Sequence, residues 1–254
     1  MPKRLPTKLD TVPLLEAVCE LRVESAIDLH TILPGLFFST FGKDAIGRIE
    51  QHPMAMNVPS ALRALPQLEG LNSQLVQIAW GDYTIVLGTR NVVLAVALPY
   101  RGWQDFKPKI VELFRLVLGQ SFVTAVQRYS IKYRNLVEIG DVSAQFRSLD
   151  IRVDVGPLTL SKQPMTLRFE HARDDVITIF QLGTNVTAEL TATKEIKSGC
   201  IVDVDTICMA PNASAAELRE ALPDKLESIR RSNKIDFFDC LTDETIANLG
   251  AHYE

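Results

Sequence analysis

Three cations share one stretch of the chain and are its best candidates for recognition chemistry. Arg128, Lys132 and Arg134 stand at even spacing, with Ser130 among them, inside the run from Val123 to Glu138. In an extended strand successive side chains point to opposite faces, so all three project from one face. Such a ridge is about 20 Å long, and it suits phosphates or an acidic peptide. Carboxylates occur in the same pattern. Asp203 and Asp205 lie two apart, and Glu16 and Glu20 bracket Val18 with Arg22 beyond. Paired carboxylates can bind magnesium or do acid–base work. They are more often the solvated face of an antiparallel sheet. Two readings follow for the ridge: it holds an anionic ligand, or it pairs across the sheet with Glu16, Glu20, Asp203 or Asp205.

Other chemistry finds no local pattern. His30, His52, His171 and His252 are not spaced with one another or with Cys or carboxylates as metal ligands are, so no metal site is expected. Cys19, Cys200, Cys208 and Cys240 include no two-residue gap and read as buried free thiols. There is no Gly-x-x-x-x-Gly-Lys, no Gly-x-Gly-x-x-Gly and no Gly-x-Ser-x-Gly, so no cofactor is expected. Active sites assembled from distant residues leave no such spacing, and whether the protein is catalytic stays open.

The 254 residues are 46% hydrophobic and 23% charged, with 27 basic and 31 acidic side chains and a net charge of −4. That excludes a wholly basic nucleic-acid binder, a disordered chain and a chain of membrane-spanning helices. The basic N-terminus is followed by no apolar core of signal-peptide length, so a reducing cytoplasm is the expected location. Charge is uneven: 12 basic and 11 acidic residues fall in 1–127, 8 and 5 in 128–173, and 7 and 15 in 174–254. A basic middle joined to an acidic end fits internal pairing, a homodimer, or a partner of local charge.

The elements that would carry these groups read as follows. Val12–Val23 alternates as a strand, and Ser25 or Asp28 starts a helix to Phe41, broken or begun at Pro34. Ile46–Gln51 is a short strand, and residues 52–70, with Pro53, Pro59 and Pro66, form a long connection. Leu75–Trp80, Tyr83–Leu87 and Asn91–Leu98 form a meander through Gly81-Asp82 and Gly88-Thr89-Arg90. An amphipathic helix spans Gln104–Leu118, with Pro108 expected in its first turn and Gly119 as a left-handed cap. After the long strand Val123–Glu138, a boundary falls at 139–148. Leu149–Val155, Met165–Glu170, Val176–Leu182, Val186–Ala192 and Cys200–Met209 read as strands, with turns at Asp174-Asp175 and Gly183-Thr184-Asn185. Ser214 and Glu217 form a capping box, Pro223 opens a second helix, and Thr242 caps a last one. Thr84–Val92 echoes Thr178–Val186, which hints at duplication.

Several landmarks together resemble a sporadically distributed family of bacterial proteins with no established function. Pro13-Leu14-Leu15-Glu16-Ala17-Val18-Cys19-Glu20-Leu21-Arg22 is similar to that family's Pro-Leu-x-Glu-Ala-Val-x-Glu-x-Arg start. Arg128 to Asn135 is similar to its Arg-x-x-x-Arg-Tyr-x-Asn strand, with Lys132 in place of the second Arg. Val202-Asp203-Val204-Asp205 and Phe237–Asp243 resemble its late aspartate strand and its closing segment. The resemblance implies one unit along the chain and carries no activity.

The expected fold is α+β, largely antiparallel sheet with helices on one face. It comprises an N-terminal half, 1–142, and a C-terminal half, 143–254, read either as two similar halves or as one continuous domain. The expected function is a non-enzymatic cytoplasmic binding or interaction module. The alternative is a nucleotide- or nucleic-acid-binding enzyme or sensor using Arg128, Lys132 and Arg134.

Overall fold

A computed structural model describes residues 3–51, 75–190 and 194–253. In chain order the elements are β1 (Lys8–Leu9), β2 (Leu14–Ser25), α1 (Leu29–Phe41), β3 (Ile46–Gln51), β4 (Val76–Trp80), β5 (Tyr83–Leu87), β6 (Asn91–Ala97) and α2 (Trp103–Leu118). Next come β7 (Val123–Glu138), α3 (Val142–Ser148), β8 (Asp154–Val155), β9 (Leu158–Thr159), β10 (Thr166–Arg173) and β11 (Val176–Glu189). The chain continues with β12 (Ile196–Ser214), α4 (Ala215–Asp239), α5 (Asp243–Asn248) and β13 (Ala251–His252). The fold is α+β on antiparallel sheet, as the alternating runs predict. No helix among the described residues is long and apolar enough to cross a membrane.

The chain forms two compact units. Residues 1–17, 131–207 and 227–254 make the first, and residues 18–130 and 208–226 the second. In the first unit hydrogen-bonded strands follow the order β10, β11, β12, β7 and the start of β2. Its core joins Val137, Phe180, Leu182, Cys200, Val202 and Val204 from the sheet to Phe237, Phe238, Leu241 and Ile246. Each such side chain contributes roughly 1.5–3 kcal/mol on leaving water. Gly199 marks a close approach of two strands there, since a Cβ at that position would lie 2.0 Å from the Val137 carbonyl oxygen. In the second unit β2, β6, β5, β4 and β3 are successive neighbours. Cys19, Leu21, Ile78, Ile85 and Leu94 are buried there, as are Phe106, Ile110, Leu113, Phe114 and Val117, the predicted stripe of α2.

Several local expectations change. Gly183-Thr184-Asn185 is no turn: β11 runs through it. Asn185 is held at φ 58°, its N–H donating to Gln145 Oε1 at 2.6 Å. Polar side chains thus absorb the kink without ending the strand. The echoed segments differ accordingly, one spanning the β5–β6 hairpin and the other lying within β11. Residues 142–148 fold as α3, with the Asp141 side chain accepting the Ala144 N–H at 2.7 Å. That cap consumes the stretch, so Leu149 makes only an isolated bridge to Leu241 instead of starting a strand.

Pro223 opens no second helix. The predicted box forms, with the Glu217 N–H donating to Ser214 Oγ at 3.1 Å, and α4 continues past Pro223 to Asp239. Pro34 lies inside an unbroken α1, and Pro108 lies past the first turn of α2. Missing one donor is tolerated where the helix face is buried. Gly119 is right-handed, at φ −81°. The connection over 52–70 lies outside the described residues.

Candidate functional site

Alternation places the sequence-predicted charges on β2, β7 and β12, and antiparallel pairing decides which meet. In the first unit Asp203 sits on β12 with its side chain 4% exposed. Its Oδ2 accepts from Lys132 Nζ at 3.1 Å and from Arg134 Nε at 3.0 Å. Arg134 also lies 3.6 Å from Glu16. The two cations are therefore matched by two carboxylates. Asp205, two residues further along β12, is half-buried. In the second unit Arg128 lies 3.3 Å from Glu20, which also approaches Arg22 at 3.6 Å. All three ridge cations are thus engaged by carboxylates of neighbouring strands, in the cross-strand arrangement that stabilises sheets.

A second assembly in the first unit has no local sequence pattern. Asp150, Ile151, Phe169, His171, Arg173, Phe180, Leu182, Asp236, Asp239 and Cys240 line an open groove of about 340 Å³. Its floor comes from α4, and one wall comes from β10 and β11. Asp236 is 5% exposed. It accepts from Arg173 at 2.5 Å and from Thr178 Oγ1 at 2.9 Å. These bonds satisfy the carboxylate, and Arg173 is left with its side chain 54% exposed. One turn earlier, buried Asn233 donates to the Val204 carbonyl at 2.8 Å and to the Ile131 carbonyl at 3.2 Å. It fixes the helix on the strands. The Phe169 ring stacks on Phe180, with centroids 4.7 Å apart and planes 10° apart.

Burial pushes the Cys240 thiol up to about 12, and the charges of Asp236 and Asp239 push the same way. At neutral pH it is a protonated, inert thiol. Burial also raises Cys200, which lies 3.4 Å from Ser148 Oγ. All four cysteines are buried and stand outside any disulfide. The groove offers an apolar ring platform beside a guanidinium fixed by a buried carboxylate, a combination suited to contact.

Sequence reasoning missed Phe169, Arg173, Thr178, Asn233 and Asp236. The available signal was the stripe of α4. Leu222, Leu226 and Ile229 continue at helical spacing into Asn233 and Asp236, polar residues at core positions. No protein-family model matches the chain, and no curated protein matches it.

Proposed function

We propose that the chain acts by binding, as a cytoplasmic protein-interaction module akin to the bacterial family it resembles, and that β10 with its groove is the contact surface. The observation that carries this is the state of β10. It ends the hydrogen-bonded order of strands, and seven of its eight residues are exposed. Phe169 stands 41% exposed among them. The outer edge of an extended strand is a template for another strand, and an adjoining groove takes side chains.

The test is a photo-crosslinking residue placed at position 169 or at position 132 of the intact chain in its own host. A discrete protein adduct from 169 and none from 132 is expected. No adduct at 169 sinks the reading. A second reading is favoured by the part-exposure of Arg134, 41% at the side chain: a phosphate displaces the carboxylates, and Arg128, Lys132 and Arg134 bind a nucleotide or nucleic acid. It requires salt-sensitive binding of a labelled oligonucleotide or ATP, lost in an Arg128→Ala/Arg134→Ala double variant. The interaction reading expects no such binding to lose.

A further inference from the structure

We infer that the partner of β10 is a second copy of this chain, joined edge to edge by two-fold antiparallel pairing centred on Phe169. This rests on β10 being the contact strand.

The backbone sets which residues can take part. β10 and β11 are joined through Asp174-Asp175, with Arg173 opposite Val176. A two-residue hairpin closes on a hydrogen-bonded pair, so the backbone groups of Arg173 point to β11. At the other end the Thr184 N–H donates to the Met165 carbonyl at 3.0 Å, which gives Met165 the same direction. The register between them is unbroken from Thr166↔Gly183 to Arg173↔Val176. Odd-numbered residues of β10 therefore bond inward, and Thr166, Arg168, Glu170 and Ala172 direct N–H and C=O outward.

The side chains then select one register. Centred on Phe169, the pairing sets Thr166 against Ala172 and Arg168 against Glu170 of the other copy. Every outward residue faces an outward residue, and unlike charges lie opposite. Centring on Arg168 sets arginine against arginine, and centring on Glu170 sets glutamate against glutamate; both are repulsive. Centring between residues faces outward groups with inward ones. Within one copy Arg168 and Glu170 already lie on the same face, 2.8 Å apart. The dimer extends that pair into a row of alternating charge.

On the other face, Phe169 meets its own copy at a non-hydrogen-bonded position, where side chains come closest. It already stacks on Phe180, so four rings form one row across the seam. A charged edge strand ordinarily repels other strands. This one is self-complementary at a single register.

The experiment is sedimentation and native mass spectrometry of the full chain over a concentration series, with three kinds of variant. The wild type is expected to dimerise with concentration. Arg168→Glu and Glu170→Arg should each weaken the dimer roughly tenfold, and the double swap should restore it. Phe169→Cys should form a disulfide-linked dimer under mild oxidation, well ahead of Arg168→Cys or Glu170→Cys, because the native thiols are buried and only position 169 meets itself.

A monomer at every concentration overturns the inference. So does a dimer indifferent to both charge swaps. If the chain is monomeric while position 169 crosslinks a different protein, the dimer falls and the contact role of β10 stands. If position 169 crosslinks nothing, both fall.

Discussion

Two aspartates of the first unit solve the same problem in different places. Asp203 and Asp236 are both nearly sealed, with side chains 4% and 6% exposed, and each holds an arginine. Asp203 lies on a strand with neighbours on both sides. Lys132 and Arg134 fill one of its oxygens, and Glu16 approaches Arg134 from the next strand. Asp236 lies on a helix beneath the strand that ends the sheet. It binds Arg173 and Thr178, and among the described residues no further strand covers β10 in the order of the sheet. The same ion pair is a tie inside the sheet in one setting and steadies the strand that ends the sheet in the other. Position in the hydrogen-bonded order, more than charge, separates the two roles.

Removing the carboxylates tests that contrast most directly. Asp203→Ala leaves Lys132 and Arg134 part-buried without their shared acceptor, and a loss of about 3 kcal/mol in denaturant unfolding is expected. Asp236→Asn keeps the shape and an acceptor for Thr178 but loses the charge that holds Arg173. About 2 kcal/mol is expected, together with a weaker crosslink from position 169. Asp203→Ala should leave that crosslink intact in the molecules that remain folded. If the crosslink fails in Asp203→Ala and survives in Asp236→Asn, the roles assigned to the two aspartates are reversed.

The groove also carries a pH signature. Cys240 holds its proton in the fold up to about pH 12, against an ordinary value of 9.0 in the unfolded chain. Between these values the folded state binds more protons, so stability is complete below pH 9 and falls as pH rises. By pH 10 the loss is about 1.4 kcal/mol. Cys240→Ala removes the titrating group, and its stability should decline less between pH 8 and pH 10 than that of the wild type. Parallel declines would show that the thiol does not carry the effect.

The strands were readable where alternation and turn residues agree. The β4–β5–β6 meander, the Ser214–Glu217 box and the Thr242 cap all form from contacts a few residues long. Readings failed where a distant side chain decides the backbone. Gln145 holds Asn185 from forty residues away, and so turns an expected hairpin into one strand. Pro223 suggests a break, but a buried helix face outweighs the loss of one donor. The candidate site divides in the same way. Even spacing along one strand brings Arg128, Lys132 and Arg134 to notice, while their neutralisation depends on pairing across the sheet. Arg173 and Asp236 lie 63 residues apart and share no pattern. Only the polar interruption of the α4 stripe announced them.

The smallest expected effect is the sharpest test, because it separates folding from association. Arg168 and Glu170 are both more than half exposed at the side chain, at 55% and 54%. Water screens an exposed pair of this kind, and its contribution to folding is about 0.5 kcal/mol or less. Arg168→Glu should therefore leave the unfolding midpoint of the isolated chain nearly unchanged. The same substitution places glutamates opposite one another at the edge of β10, where the pair occurs twice across the seam. A variant that folds like the wild type but associates roughly tenfold less would locate the contact on that edge. A loss of folding stability comparable to that of Asp203→Ala would show that the edge is held as tightly as the interior of the sheet. The difference between the two regions would then vanish.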